Sequence, residues 1–214
     1  MSERPILFNA PMIRAIQAGR KTQTRRFVNP QPFALPKRQG VLNELVDNPS
    51  PLWFDNRRMF SCPYGQPGDT LWVRETWGVT GKLEKVRGQV EDAIPDGMDG
   101  PFYRADGCHE DSGLRWRPSI HMPRWASRTN LTVTDIRVER LQGISEEDAR
   151  AEGITDGGCL ACGMSEPCGC AYPTPDARDA FINLWDSING DKPGRSWAEN
   201  PFVWIPTFER QAHV

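Results

Sequence analysis

Prolines and glycines punctuate this chain so often that long regular elements are excluded: nineteen of each fall among its 214 residues. Only short periodic segments fit between them, so the fold must be assembled from brief helices and strands joined by many loops. Ile6 to Phe8 reads as a short strand. Met12, Ile13 and Ile16 lie at helical spacing behind Pro11, which suits a first helical turn, and Gly19 falls where such a helix ends. The turn-rich run from Cys62 to Asp69 feeds a strand from Thr70 to Arg74. Asn130 to Leu141 alternates with a fault. Leu131 and Val133 are in one phase and Ile136 and Val138 in the other, which requires a bulge near Thr134 and Asp135.

Ser145 is placed to cap a short acidic helix from Glu146 to Glu152 that Gly153 ends. Thr174 and Pro175 open an amphipathic helix through Phe181, Leu184, Trp185 and Ile188. Val203 to Phe208 forms a final strand in which Pro206 predicts an edge position or a bulge. The length suits one domain over residues 1–214, with insertions at about 29–60, 78–113 and 155–173. No apolar run reaches the roughly 20 residues of a membrane span, and the N-terminus lacks the apolar region of a secretory signal, so a cytoplasmic protein without a membrane partner is expected.

The chemistry concentrates first in Gly19-Arg20-Lys21-Thr22-Gln23-Thr24-Arg25-Arg26, where four cations and two hydroxyls follow the first helix directly. Arg20, Arg25 and Arg26 offer forked donors suited to phosphate or carboxylate. Thr22 and Thr24 supply hydroxyls that donate, accept or, beside a base, attack. The net charge of -2 argues neither for nor against a nucleic-acid partner. Its distribution is uneven: cations outnumber acids over residues 1–60 and acids outnumber cations over 135–199, which predicts a basic and an acidic face. A second basic stretch free of acidic residues runs from Leu114 to Arg128 and holds Arg115, Trp116, Arg117, His121, Arg124, Trp125 and Arg128. Arginine interleaved with tryptophan suits single-stranded nucleic acid, through base stacking and phosphate contacts. The same pattern also suits a loop anchored on the core by its tryptophans.

The segment Gly19 to Arg26, with Ala18 before it, resembles the signature of the ASCH family, small proteins of PUA-like fold tied to RNA. Pro67 to Val73, Ile144 to Gly153 and the strand around Phe202 to Phe208 fit that family in the same order, and the whole chain is most similar to phage and prophage proteins carrying the domain. The resemblance implies an α+β fold, a small PUA-like (ASCH) β-barrel with flanking helices and long inserted loops. It implies a pocket on the basic segment for single-stranded RNA or a modified nucleoside. Similarity to the acetylcytidine amidohydrolases of the family implies a second role, hydrolysis of an acyl group from a modified cytidine, with Lys21 as base, Thr24 as nucleophile and Glu152 as proton shuttle. Ribonuclease activity is a further alternative. Glu75, at the exit of the Thr70 to Arg74 strand, is an additional polar candidate. No organic cofactor is implied.

A separate cluster, Cys159, Cys162, Cys168 and Cys170, puts four thiols within twelve residues. Their number and softness suit a tetrahedral structural zinc, and in a cytosolic chain disulfides are disfavoured; a thiol-rich loop without metal is the other reading.

Overall fold

The computed structural model describes residues 1–29, 31, 52–55, 58–79, 101–107, 115–155 and 177–212. In chain order the elements are β1 (Glu3–Leu7), α1 (Ala10–Gln17), β2 (Arg26–Phe27), β3 (Leu52–Asp55), β4 (Arg58–Ser61), β5 (Thr70–Arg74), β6 (Trp77–Val79), β7 (Phe102–Tyr103), β8 (Arg115–Arg117), β9 (Asn130–Arg140), α2 (Glu146–Ala151), α3 (Ala177–Asn189) and β10 (Phe202–Arg210), with single 3-10 turns between several of them. The chain is α+β. Among the described residues a five-stranded sheet runs β1-β5-β9-β10-β2, parallel only between β1 and β5. Two smaller units, β3-β4 and β7-β6-β8, complete the strands. No described helix is long and apolar enough to cross a membrane.

The local signals act as their chemistry dictates. Asn9 caps α1 by accepting from the Met12 amide, Pro11 sits in its first turn, and Gly19 follows at φ +72°, a left-handed value that favours glycine. Ser145 caps α2 by accepting from the Asp148 amide. The phase fault in β9 is a bulge: Asp135 faces Thr207 and Val133 faces Phe208, so Thr134 is skipped. The skip returns Leu131, Val133 and Ile136 to one buried face, where they meet Ile13 and Ile16 of α1, Leu71, Val73, Phe202, Trp204 and Phe208. The acidic helix ends one residue earlier than expected, because Glu152 serves as its C-cap. Thr174 and Pro175 lie outside the described residues, so the start expected for α3 does too.

The Pro206 expectation holds in its second form: β10 lies between β9 and β2 rather than at an edge, and the register shift falls between Thr207 and Phe208, beside Pro206. The residues of β10 alternate between two cores, Phe202, Trp204 and Phe208 on one side and Val203 and Ile205 on the other, the latter packing with Phe181 and Trp185 of α3 and Ala149 of α2. A strand buried on both faces reads as a continuous apolar run, which Phe202 to Ile205 is. Pro206 is tolerated there for a local reason. Its carbonyl accepts from the Thr24 amide, so its missing N–H also points at the basic segment, where regular pairing has broken into isolated bridges at Lys21 and Gln23.

That segment is threaded between two helix ends and β10. Arg20 and Lys21 amides donate to the Ala15 carbonyl at the end of α1, Thr22 and Gln23 amides to Ala151 at the end of α2, and the Phe208 amide to Thr22. Gly153 makes the crossing close enough. It has φ +86°, and a Cβ on it would stand 2.9 Å from the Ala15 Cβ and 3.0 Å from the Lys21 Cβ. Gly153→Ala is therefore expected to destabilise the fold by on the order of 1–3 kcal/mol through backbone strain, with the clash added. Gly194, also at positive φ but with open space around it, is the control position whose alanine variant should lose less in a denaturant melt.

Candidate functional site

Lys21 and Glu152 meet. They form an isolated antiparallel bridge, and the Lys21 ammonium donates at 2.8 Å both to Glu152 Oε2 and to the Glu152 carbonyl. Lys21 is fully buried at its side chain and Glu152 nearly so. Burial pushes the Lys21 pKa below its ordinary value; the Glu152 carboxylate opposes that, and Arg26 and Arg25 reinforce it. The Lys21 ammonium also meets the carbonyl of the α2 C-cap, an end that favours positive charge.

Behind the pair stands a network that the sequence reading did not name. Arg25, with no exposed side-chain surface, reaches Glu152 Oε1 at 3.4 Å and Asp148 Oδ2 at 2.9 Å. Asp148 also accepts from Gln23 at 2.9 Å and from Arg137 at 2.8 Å. Burial works against its charge, yet these donors outweigh it and hold the carboxyl below its ordinary range. Two signals could have found the network. Asp148 and Glu152 are four apart on a helix and so share a face, and Lys21, Gln23 and Arg25 share one side of an extended chain.

Thr24 is buried and lines a cavity of about 100 Å³ together with Glu152, Arg25, Arg26 and Asn189; Met12 of α1, Phe27 of β2, and Phe181, Leu184, Trp185 and Ile188 of α3 supply its apolar wall. Glu152 and Arg25 are thus common to the ion-pair network and the cavity. No hydrogen bond joins Lys21 to Thr24 among the described residues, and the irregular path from 21 to 25 buries both although strict alternation would separate them. Nε of Arg25 and Nε of Arg26 are buried without an acceptor. The Arg26 guanidinium bonds the Leu7 carbonyl, joining the two edge strands of the sheet, and lies 5.2 Å from the Phe8 ring. Arg20 and Thr22 do not enter this cavity. Both are exposed and line a separate open groove of about 610 Å³ beside Glu147 and Arg150.

The second basic stretch is drawn into structure. Arg128 grips Glu75 at 3.0 and 3.1 Å and Asp106 at 2.7 and 2.8 Å, and stands 3.8 Å from the centre of the Tyr103 ring. Glu75 is buried there, its pKa raised by burial against the pull of Arg128, and is not among the residues lining the Thr24 cavity. Trp125 meets Trp77 edge-on at 5.6 Å, and Arg117 lies 5.9 Å from the same Trp77 ring. Trp116 lies under Arg104, and Arg124 pairs with Glu3 at 2.9 Å and covers Trp72. His121 is exposed, and only the backbone of Arg115 is described. The loop anchored by its tryptophans, rather than an open Arg/Trp surface, is what these contacts build. Nor do basic and acidic faces stand apart at the main site, where Lys21 and Arg25 are spent on Glu152 and Asp148.

Cys159, Cys162, Cys168 and Cys170 lie outside the described residues. Among the described residues no group of three or more His, Cys, Asp or Glu is placed to hold a metal ion. Cys62 is buried, which pushes its thiol up to about 11.

Two outcomes test the electrostatics. Glu152→Ala leaves Lys21 buried without its counter-charge and is expected to cost about 3–5 kcal/mol in a denaturant melt, whereas the paired change Lys21→Met with Glu152→Leu should recover most of that loss. Asp148, whose folded pKa is depressed, contributes stability that is present above its unfolded value of about 3.9 and lost as pH falls through the folded value, so Asp148→Asn should flatten the acid limb of the stability profile. No protein-family model, curated protein or solved structure matches the chain, so the site is known by its geometry alone.

Proposed function

We propose that the cavity beneath α3 binds a modified nucleoside through its base. The supporting observation is the joint lining by Thr24, Glu152, Arg25 and Arg26 of a cavity of about 100 Å³. An engineered apolar cavity of about 150 Å³ accepts benzene, so the space is on the scale of one six-membered ring. The guanidinium-bearing Arg25 and Arg26 in its lining favour a ligand that brings oxygen or ring-nitrogen acceptors. The resemblance of Gly19 to Arg26 and Ile144 to Gly153 to the ASCH family points the same way, and the Arg26 contact between the outer strands is in keeping with the curled, PUA-like barrel of that family. An RNA strand finds less support than a nucleoside, because Arg124 and Arg128 are already engaged by Glu3, Glu75 and Asp106.

The contact of Lys21 with Glu152, and the place of Thr24 in the same cavity, favour a second reading: removal of an acyl group from an N-acylated cytidine. The Thr24 hydroxyl oxygen attacks the acyl carbonyl carbon while its proton passes to the neutral Lys21 amine. The C–N bond then breaks as Glu152 takes that proton from Lys21 across their 2.8 Å contact and passes it to the leaving nitrogen, and water hydrolyses the acyl-threonine, one of its protons returning to Thr24, to release the carboxylic acid. The lowered pKa of Lys21 suits it to the base role.

Isothermal titration with N4-acetylcytidine and turnover assays on the same compound test both readings. Thr24→Ala should abolish turnover and the acyl-Thr24 mass adduct while binding survives; Thr22→Ala, which changes a residue of the open groove, should cost much less. The rate should rise with pH as Lys21 loses its proton, with an apparent pKa below the roughly 10.4 of free lysine. Binding without turnover leaves the nucleoside-binding reading in place, and unchanged turnover in Thr24→Ala removes the nucleophile assignment. Affinity for single-stranded RNA that falls steeply with salt, alongside no nucleoside binding, would put the RNA reading in its place.

A further inference from the structure

The α3 wall ends at Asn189, the last residue of the helix and a lining residue of the cavity. Its Nδ2 donates to the Trp185 carbonyl at 3.3 Å, its one side-chain hydrogen bond among the described residues. A carbonyl only accepts, so this contact settles which way the amide faces: the flipped form would set two oxygens against each other. The anchor is itself held. Trp185 is buried and its indole N–H donates to the Arg195 carbonyl at 2.7 Å. The chain after Asn189 turns through Gly190, where a Cβ would stand 2.6 Å from the Asp186 carbonyl oxygen. That bond leaves Oδ1 and the second N–H of Asn189 without a protein partner among the described residues, in a set order, on a residue that lines the cavity beside Leu184 and Ile188. Ile188 stays 46% exposed, an apolar group kept at the surface next to a polar one.

We propose that Asn189 is the specificity-determining residue of this cavity, selecting a single-ring base whose edge carries an amino donor beside a ring-nitrogen acceptor. The proposal rests on the nucleoside reading given above. An asparagine amide pairs two-fold with such an edge, and each good two-fold contact discriminates strongly against the wrong base. Cytosine has that edge. Uracil carries the donor on the ring nitrogen and acceptors beside it, so it pairs with a fixed amide only when the ring is displaced, which a one-ring cavity opposes.

The test is calorimetric titration of cytidine and of uridine into the unaltered protein, Asn189→Ala and Asn189→Asp, with thermal melts to show that each variant is folded. The unaltered protein should favour cytidine by about tenfold or more. Asn189→Ala should bring the two affinities within about threefold of each other by weakening cytidine, and Asn189→Asp, which replaces the donor by an acceptor, should weaken cytidine more than uridine. A folded Asn189→Ala that keeps the cytidine preference of the unaltered protein overturns the assignment of Asn189 and leaves the nucleoside reading standing. Failure of the unaltered protein to bind either compound overturns the assignment of Asn189, and failure to bind N4-acetylcytidine as well overturns the nucleoside reading.

Discussion

The Lys21 ammonium and the Glu152 carboxylate are out of water together, and the surrounding structure depends on that pairing. An ion pair of this kind is costly to desolvate, and its attraction offsets the cost only where further hydrogen bonds satisfy the remaining donors and lone pairs. The protein supplies them from both sides. The second Lys21 bond goes to the Glu152 carbonyl, Arg25 takes the other carboxylate oxygen, and Asp148 holds Arg25 while being held by Gln23 and Arg137. Loss of Glu152 leaves Lys21 buried with no carboxylate partner among the described residues. The cavity shares Glu152 and Arg25 with this network.

The arrangement gives the uneven charge of the chain a different meaning. Cations gathered in the N-terminal part and acids in the later part are complementary halves of one interior. Residues 123 to 131 positions apart in the chain are hydrogen-bonded across it. Long-range attraction of a polyanion therefore has less to act on at Lys21 and Arg25 than the bare count suggests. The same conversion happens around Trp77, where Arg117 and Trp125 pack against its ring. Neighbouring Arg128 is clamped between two carboxylates and the Tyr103 ring.

Helix α3 joins core and site. Phe181 and Trp185 both belong to the second core and line the cavity, while Leu184, Ile188 and Asn189 line it without being buried. A single amphipathic helix thus packs the second core and lines the cavity on adjacent strips of its surface. Phe27, which lines the cavity too, is backed by the Arg195 guanidinium 4.3 Å from its ring centre, from the same loop that holds the Trp185 indole.

What the sequence determined by itself is local. Caps at Asn9 and Ser145, the left-handed turns at Gly19 and Gly153, the strand from Thr70 to Arg74 and the bulge at Thr134 all follow from residues within a few positions of one another, whose chemistry acts whatever the rest of the chain does. The pairing of Lys21 with Glu152 was legible only through resemblance, and Asp148, Gln23 and Asn189 went unread although Asp148 and Glu152 share a helix face. Tertiary structure decided those, along with the central place of β10 and the internal neutralisation of the basic segment. The reason is physical: propensity and periodicity state which side of an element is buried, but not which other element covers it, and a buried charge is assigned its partner only when strands and helices distant in the chain have docked.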